Sequence, residues 1–164
     1  MTSDLIQDRG KMRWEDGAIY GLVLAGIYLL VGVLFFYAGK SKVIDGNGMP
    51  DPLKAQFKNT FLDTFPGLDA SWWILGILEC LVFILIVASL VRLEFLPSRH
   101  KPFLLMSLAM AIFTFSILAM GQNLTGQNQG VAELYLYGGG TGVLMGLVLV
   151  LPPRRPVNWL SNGR

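Results

Sequence analysis

Four long apolar segments dominate the pattern of hydrophobic and polar positions along this chain. The segments lie at about residues 17–38, 71–91, 102–120 and 131–151. Each segment contains at most one charged side chain. A helix of about 20 residues is 30 Å long, which is the thickness of the hydrocarbon core of a bilayer. The pattern therefore predicts an all-α, polytopic membrane protein in which four transmembrane helices form one bundle and one domain.

A shorter amphipathic pattern lies between the first and second apolar segments, at about residues 51–65. Asp51-Pro52 is a helix-start signal, and apolar side chains then recur every four residues from Leu53 to Phe65. Pro66-Gly67 ends the pattern. A segment of about 15 residues is too short to span, so we expect a short amphipathic helix that lies at the interface, packs on the mouth of the bundle, or does both.

Composition agrees with a membrane protein and excludes several classes of function. The chain is 53% hydrophobic and only 15% charged, against about 25% charged residues in soluble proteins. With 13 Lys and Arg against 11 Asp and Glu, it has no strongly basic surface for nucleic acid. Gly39-Lys40-Ser41 lacks the first glycine of a phosphate-binding loop, because Leu34 occupies that position.

The chain has one cysteine, Cys80, and one histidine, His100. These two residues cannot form an intrachain disulfide, a redox Cys pair, or the ligand set of a zinc or bis-histidine haem site. We therefore expect this chain by itself to bind no metal and no redox cofactor, although a quinone would need no such ligands.

The distribution of Lys and Arg between the loops predicts an orientation. Nine of them lie in the N-terminal tail, the 92–101 connection and the C-terminal tail, whereas four lie in the 39–70 connection and none in residues 121–130. Basic loops stay on the cytoplasmic side of a membrane. We expect both termini to be cytoplasmic, in the cell membrane of a bacterium.

Glycines recur at helical spacing on two of the predicted spans. On the fourth span they are Gly138, Gly142 and Gly146, and on the first span Gly17 and Gly21. Small residues at this spacing allow two helices in lipid to approach closely. The pattern favours packing of the first span on the fourth, and less strongly an oligomer, while the high glycine content of membrane helices in general is an alternative explanation.

Glu79 is the main candidate for chemistry, because it lies roughly 12 Å inside the second predicted span. An acid at such depth is by default a candidate functional residue, either as a proton-handling group or as a hydrogen-bond partner for a quinone headgroup. The alternative is that Glu79 is protonated or hydrogen-bonded and only fixes the packing of the helices.

The other charged candidates are Lys40, Lys42 and Arg92. Lys40 and Lys42 would lie at the end of the first span, where we expect them to anchor the helix at the interface. The alternative is that one of them approaches Glu79. Arg92 lies at the opposite end of the second span.

Two short motifs resemble those of DoxX-like membrane proteins. The first is FFYAGKSKV, in which Gly39 and Lys42 close the first span, and the second is LECLVFILIVASLVRL, which contains Glu79 and Arg92. The four-helix layout from about residue 17 to 152 is also similar to that of the family. The resemblance implies a small helical subunit associated with membrane redox machinery, and it supplies no catalytic residues.

Three functions are compatible with these observations. The first is a non-catalytic accessory subunit of a bacterial respiratory or related electron-transfer complex, in contact with membrane lipid and other integral membrane subunits. The second is a quinone-interacting oxidoreductase subunit of the thiosulfate:quinone or quinol oxidase type, in which Glu79 handles protons. The third, with the weakest support, is a small transporter.

Overall fold

The structure is a computed structural model that describes the backbone of residues 14–96 and 99–150, and the side chains of the same ranges from residue 19 onward. Every regular element in these ranges is helical. The elements are α1 (Trp14–Gly39), a π-helix that continues it (Lys40–Ile44), α2 (Asp51–Gln56), α3 (Phe61–Thr64), α4 (Leu68–Val91), α5 (Pro102–Leu124) and α6 (Asn128–Val150). The basic residues of the two tails, which contribute to the predicted orientation, lie outside the described residues.

Four of these helices are long and apolar enough to cross a membrane, which confirms the predicted fold class. They are Ile19–Ile44, Leu68–Val91, Pro102–Leu124 and Asn128–Val150, with mean hydropathies between 1.4 and 2.9. Hydrocarbon offers backbone groups no hydrogen bonds, so an apolar segment of this length is stable there only when its N–H and C=O groups bond internally, as in a helix.

The turn between α5 and α6 is shorter than the ten-residue loop predicted at 121–130. The polar residues at both ends of that sequence continue the helices, and only residues 125–127 form the turn. Gly126 adopts a φ of 71°, and the N–H of Gln127 donates to the carbonyl of Gln122 over 3.1 Å. This left-handed cap closes α5, because glycine adopts such a φ without a Cβ clash.

The amphipathic segment forms two short helices instead of one. Asn59 has a φ of 71°, which interrupts the helix between α2 and α3. The interruption separates the phenylalanines that a single helix would place on one face: Phe57 is buried, whereas Phe61 and Phe65 are exposed. The Lys54 ammonium lies 2.9 Å from the carboxylate of Asp69, which is in the first turn of α4. This ion pair connects the segment to the bundle.

Consecutive long helices pack side by side, α1 on α4, α4 on α5 and α5 on α6. The core contains residues from all four, with α1 and α5 contributing most of its buried side chains. We call the end of the bundle that carries residues 45–67 and 125–127 the first end, and the end that carries residues 92–101 the second end.

The first and fourth spans do not make the close contact that the glycine pattern favoured. Among the described atoms, a Cβ placed on Gly21, Gly142 or Gly146 would meet nothing within 4 Å, and one on Gly138 would lie 3.6 Å from the Cβ of Phe115. Gly17 lies in α1, but its surroundings fall outside the described side chains. Gly21, Gly142 and Gly146 therefore lie on faces that the described part of the chain leaves open.

One aromatic residue of α5, Phe115, contacts an aromatic ring on α1 and another on α6. The Phe115 ring lies 5.4 Å from that of Phe35 on α1 and 6.0 Å from that of Tyr137 on α6, measured between ring centroids. A cavity of about 270 Å³ remains between α1 and α6 beside these rings. The packing of α6 on the rest of the bundle thus depends mainly on α5.

The first span and α4 approach each other closely at two other glycines. A Cβ on Gly39 would lie 2.8 Å from Cys80 Sγ and 2.9 Å from the backbone nitrogen of Cys80. A Cβ on Gly76 would lie 2.8 Å from a methyl carbon of Val43 and 2.9 Å from the Cβ of Lys42. At both positions only hydrogen leaves room for the neighbouring helix.

Replacement of Gly39 by alanine tests this contact. We expect Gly39→Ala to lower the free energy of unfolding by about 1–3 kcal/mol, because its methyl group overlaps the backbone of Cys80. Gly26→Ala is the matched control, since a Cβ there meets no atom of the described residues within 4 Å. Thermal unfolding of both variants in mild detergent measures the difference, and equal stability of the two would contradict the contact.

Candidate functional site

Lys42 and Glu79 form a buried ion pair between the end of the first span and the middle of α4. The Lys42 ammonium donates to both carboxylate oxygens of Glu79, over 2.8 and 2.7 Å. The side chains are 11% and 4% exposed, so the chain itself shields the pair from its surroundings. An attraction of this kind is strong in a low-dielectric environment, and it compensates for the loss of hydration that both charges suffer.

The π-helix determines where Lys42 lies. The N–H of Asp45 donates to the carbonyl of Lys40 over 2.9 Å, so the backbone bonds here span five residues. A π turn is wider than an α turn, which changes the direction of the side chains that it carries. Lys42 is in the middle of this segment and faces α4.

The two glycines of the close contact lie one turn from the two charges. Gly39 precedes Lys42 by three residues, and Gly76 precedes Glu79 by three residues. Residues three apart share a helix face, so each glycine lies on the face that carries the charge. The absence of a side chain at both positions brings the backbones close enough for the short Lys42–Glu79 bonds.

Trp72 covers the ion pair. The Lys42 ammonium lies 4.7 Å from the centroid of the Trp72 ring, within the range of a cation–π interaction. The indole N–H donates to the carbonyl of Asn47 over 2.8 Å, which fixes the ring against the segment that follows the π-helix. Trp72 therefore shields the pair and connects α4 to the 39–70 connection.

Lys40 and Arg92, the other two charged candidates, do not reach Glu79. Lys40 pairs with Asp45 on the surface, over 2.8 Å to each carboxylate oxygen. Arg92 caps the far end of α4, about 20 Å along the helix from Glu79, where its guanidinium lies 4.8 Å from the centroid of the Phe103 ring. Of the candidates, only Lys42 and Glu79 are brought together.

A second polar network, which no pattern in the sequence indicated, lies at the second end. Glu94 is 2% exposed, accepts a hydrogen bond from Ser89 Oγ over 2.8 Å, and accepts two more from the backbone N–H groups of Phe103 and Leu104, over 3.2 and 3.0 Å. Tyr28 Oη lies 2.6 Å from Ser89 Oγ. Since the serine hydrogen is directed to the carboxylate, Tyr28 is the donor in that bond.

The backbone at the end of α4 places Glu94 in this network. Leu93 adopts a φ of 56°, and the N–H of Glu94 donates to the carbonyl of Ser89 over 3.0 Å. This helix-ending geometry turns the chain back, so that Glu94 reaches the start of α5. A carboxylate is favourable there, because the first N–H groups of a helix have no partner within the helix.

Metal ligands do not come together in the described part of the chain. No group of three or more His, Cys, Asp or Glu side chains lies within it at a distance that could hold an ion. The absence of a cofactor from this chain stays a prediction.

Comparison with models of known protein families, with curated proteins and with solved structures finds no match for this chain. The resemblance to DoxX-like proteins therefore stays a prediction from the two motifs, and a function has to be inferred from the geometry of the chain.

Replacement of each charged residue by methionine tests whether the ion pair is structural. We expect Lys42→Met or Glu79→Met to lower the free energy of unfolding by about 3–5 kcal/mol, because each leaves an uncompensated buried charge. The double variant should recover most of that loss, since two methionines of similar volume leave no charge behind.

The matched control is Lys40→Met, which breaks an exposed pair that we expect to contribute at most about 1 kcal/mol. Thermal unfolding in mild detergent compares the four variants with wild type. A double variant as unstable as the worse single variant would show that the pair is not the source of the loss.

Proposed function

We propose that this chain is a non-catalytic subunit of a larger integral membrane complex, of the respiratory or related electron-transfer kind. The observation that carries the proposal is that both buried carboxylates of the described residues are engaged by the chain itself. Glu79 is bonded to Lys42, and Glu94 is bonded to Ser89 and the start of α5. Acids held in this way stabilise a helix bundle, and neither is left free to exchange protons with a substrate.

The uncovered surface of α6 supports the existence of a partner subunit. Only 11% of its most apolar stretch is buried within the chain, against 33–39% in the other three spans. Gly142 and Gly146 lie on this helix, and a Cβ atom added to either would contact none of the described atoms within 4 Å. A helix of a neighbouring subunit could approach closely there, because association in lipid depends on van der Waals contact at small residues.

The electron-transfer assignment depends on the resemblance of the FFYAGKSKV and LECLVFILIVASLVRL motifs to DoxX-like proteins. The ion pair lies in the part of the chain that carries this resemblance, since Lys42 belongs to the first motif and Glu79 to the second. A quinone-interacting subunit is the alternative, and it requires Glu79 to leave Lys42 at some step in order to carry a proton.

We further propose that the first end of the bundle faces outward and the second end the cytoplasm, in a bacterial cell membrane. The support is the excess of Lys and Arg in the tails and in the 92–101 connection. We expect a cysteine introduced by Gly46→Cys to react with an impermeant thiol reagent in intact cells, because Gly46 is an exposed residue of the 39–70 connection. Arg99→Cys is the matched control at the second end, and labelling of that position in place of Gly46 would reverse the orientation.

Purification from native membranes in mild detergent tests the accessory function. Wild type should co-purify with other integral membrane chains, and Gly142→Leu should retain roughly tenfold less of them, which corresponds to about 1.4 kcal/mol of association free energy. Gly26→Leu is the control, since Gly26 is equally open within the chain but lies on α1. Unchanged partners in Gly142→Leu would mean that this face of α6 meets only lipid.

The same preparations distinguish the accessory function from the quinone-interacting one. The double variant Lys42→Met with Glu79→Met should keep both the subunit content and the quinone-coupled turnover of the complex, because it removes the pair without leaving a buried charge. A complex of normal content whose turnover falls tenfold would instead assign proton handling to Glu79.

A further inference from the structure

Arg92 lies at the membrane boundary, at the second end of the bundle. The apolar span of α4 ends at Val91 and that of α5 begins at Pro102, so residues 92–101 connect the two spans. The headgroup region on each side of a bilayer is roughly 5–7 Å thick. Because Arg92 directly follows the last residue of the span, its side chain lies at the level of the lipid headgroups.

The turn after α4 holds the Arg92 side chain against α5. Leu93 adopts a φ of 56°, and Glu94, the next residue, accepts a hydrogen bond from the N–H of Phe103 over 3.2 Å. The Arg92 guanidinium lies over the Phe103 ring, 4.8 Å from its centroid, in a cation–π contact. A guanidinium over a ring keeps the N–H groups at its edge available to an acceptor. The fold of the chain thus positions this cation.

The charge that the 92–101 connection exposes is positive. Arg92 and Arg99 are exposed, whereas Glu94, the one acid of this connection, is 2% exposed. Its carboxylate is bonded to Ser89 and to the start of α5. Within the described residues, no carboxylate forms an ion pair with Arg92. The acid is withdrawn from the surface, so the two arginines attract an anion there.

Lys101, the remaining basic residue of the connection apart from its histidine, belongs to the contact with α1. Its side chain is buried, and the ammonium lies 5.4 Å from the centroid of the Tyr20 ring. Phe103 follows Lys101 by two residues, and side chains two positions apart at the start of a helix do not share a face. The ring that holds the guanidinium therefore lies on a different side of α5 from the start of α1, which carries Glu15 and Asp16.

Exposed apolar side chains flank the guanidinium-bearing residue. Val91 and Leu93 are 76% and 45% exposed, and Phe95 and Leu96 of the same connection are 39% and 36% exposed. Such a cluster is favourable against hydrocarbon and unfavourable against water. An anion that reaches Arg92 between these side chains is therefore expected to carry acyl chains of its own.

We propose that Arg92, held over Phe103, binds the phosphate of an anionic phospholipid at the second end of the bundle. The edge of a guanidinium presents two parallel N–H groups to phosphate oxygens, and the exposed Val91 and Leu93 contact the acyl chains. The exposed Arg99 adds electrostatic attraction. The site goes beyond the proposed function, since it needs no partner subunit, and it serves for either orientation, because phospholipid lines both membrane surfaces.

Competition between two phospholipids for the purified full chain tests the site. The chain is stripped of lipid in mild detergent and mixed with equal amounts of phosphatidylglycerol, which is anionic, and phosphatidylcholine, which is zwitterionic. Native mass spectrometry counts the bound molecules of each. We expect wild type to retain about tenfold more phosphatidylglycerol and Arg92→Gln to lose that preference, which corresponds to about 1.4 kcal/mol. Arg92→Lys should keep part of it, because lysine retains the charge without the planar fork.

Phe103→Leu is a second variant, which keeps the charge and removes the ring that positions it. We expect this change to lower the preference about threefold, because the guanidinium loses its cation–π contact. The preference is a ratio of two lipids bound to the same chain, so a loss of stability alone does not change it.

Lys58→Gln is the matched control and should leave the preference unchanged, since Lys58 is an exposed cation at the first end. An unchanged preference in both Arg92→Gln and Phe103→Leu would overturn the proposal. An equal loss in Lys58→Gln would also overturn it and assign the preference to the overall charge of the chain. Displacement of the lipid by an equal concentration of inorganic phosphate would overturn it as well and assign Arg92 to a soluble anion.

Discussion

Hydrocarbon gives a polar group no hydrogen bond, and the arrangement of this bundle depends on how the chain meets that constraint. Inside the spans a carboxylate or an ammonium group must find its partner within the protein. The chain does so halfway along α4 with Lys42 and Glu79, whose two short bonds connect the first span to α4. At the second end, Tyr28, Ser89 and Glu94 connect α1, α4 and the start of α5. The first span and α4 are thus connected by polar contacts at two levels, with apolar packing between them.

The ion pair also explains the contacts around it. A carboxylate and an ammonium group attract each other strongly only at short range. The short bonds between Lys42 and Glu79 therefore depend on the close approach of the backbones of the first span and α4. Gly39 and Gly76 permit that approach, since a Cβ at either position would lie within 3 Å of the opposite helix. The π turn directs Lys42 toward α4, and Trp72 shields the pair. Removal of any one of these features would weaken the pair, so this part of the chain behaves as one unit.

The sequence predicted the four spans well because the length of an apolar run determines whether it can cross a bilayer. It did not predict the pairing of Lys42 with Glu79 as the main role of that lysine, because a π turn rotates the side chains and leaves no periodic signal in the sequence. The glycine pattern pointed to Gly142, whereas the close contact is at Gly39 and Gly76, since a glycine-rich helix offers several faces and spacing does not select among them. The break at Asn59 was missed because the four-residue apolar period continues through it.

The use of both buried acids for structure limits where a function can lie. Glu79 and Glu94 are the buried carboxylates of the described residues, and each is bonded to groups that orient helices. A catalytic acid has to change its protonation state during turnover, and here such a change would break a contact that holds the bundle together. Among the described residues, the open face of α6 has no part in these contacts. It is the surface on which we propose that a partner subunit binds, because small residues on a helix in lipid allow a second helix to approach closely.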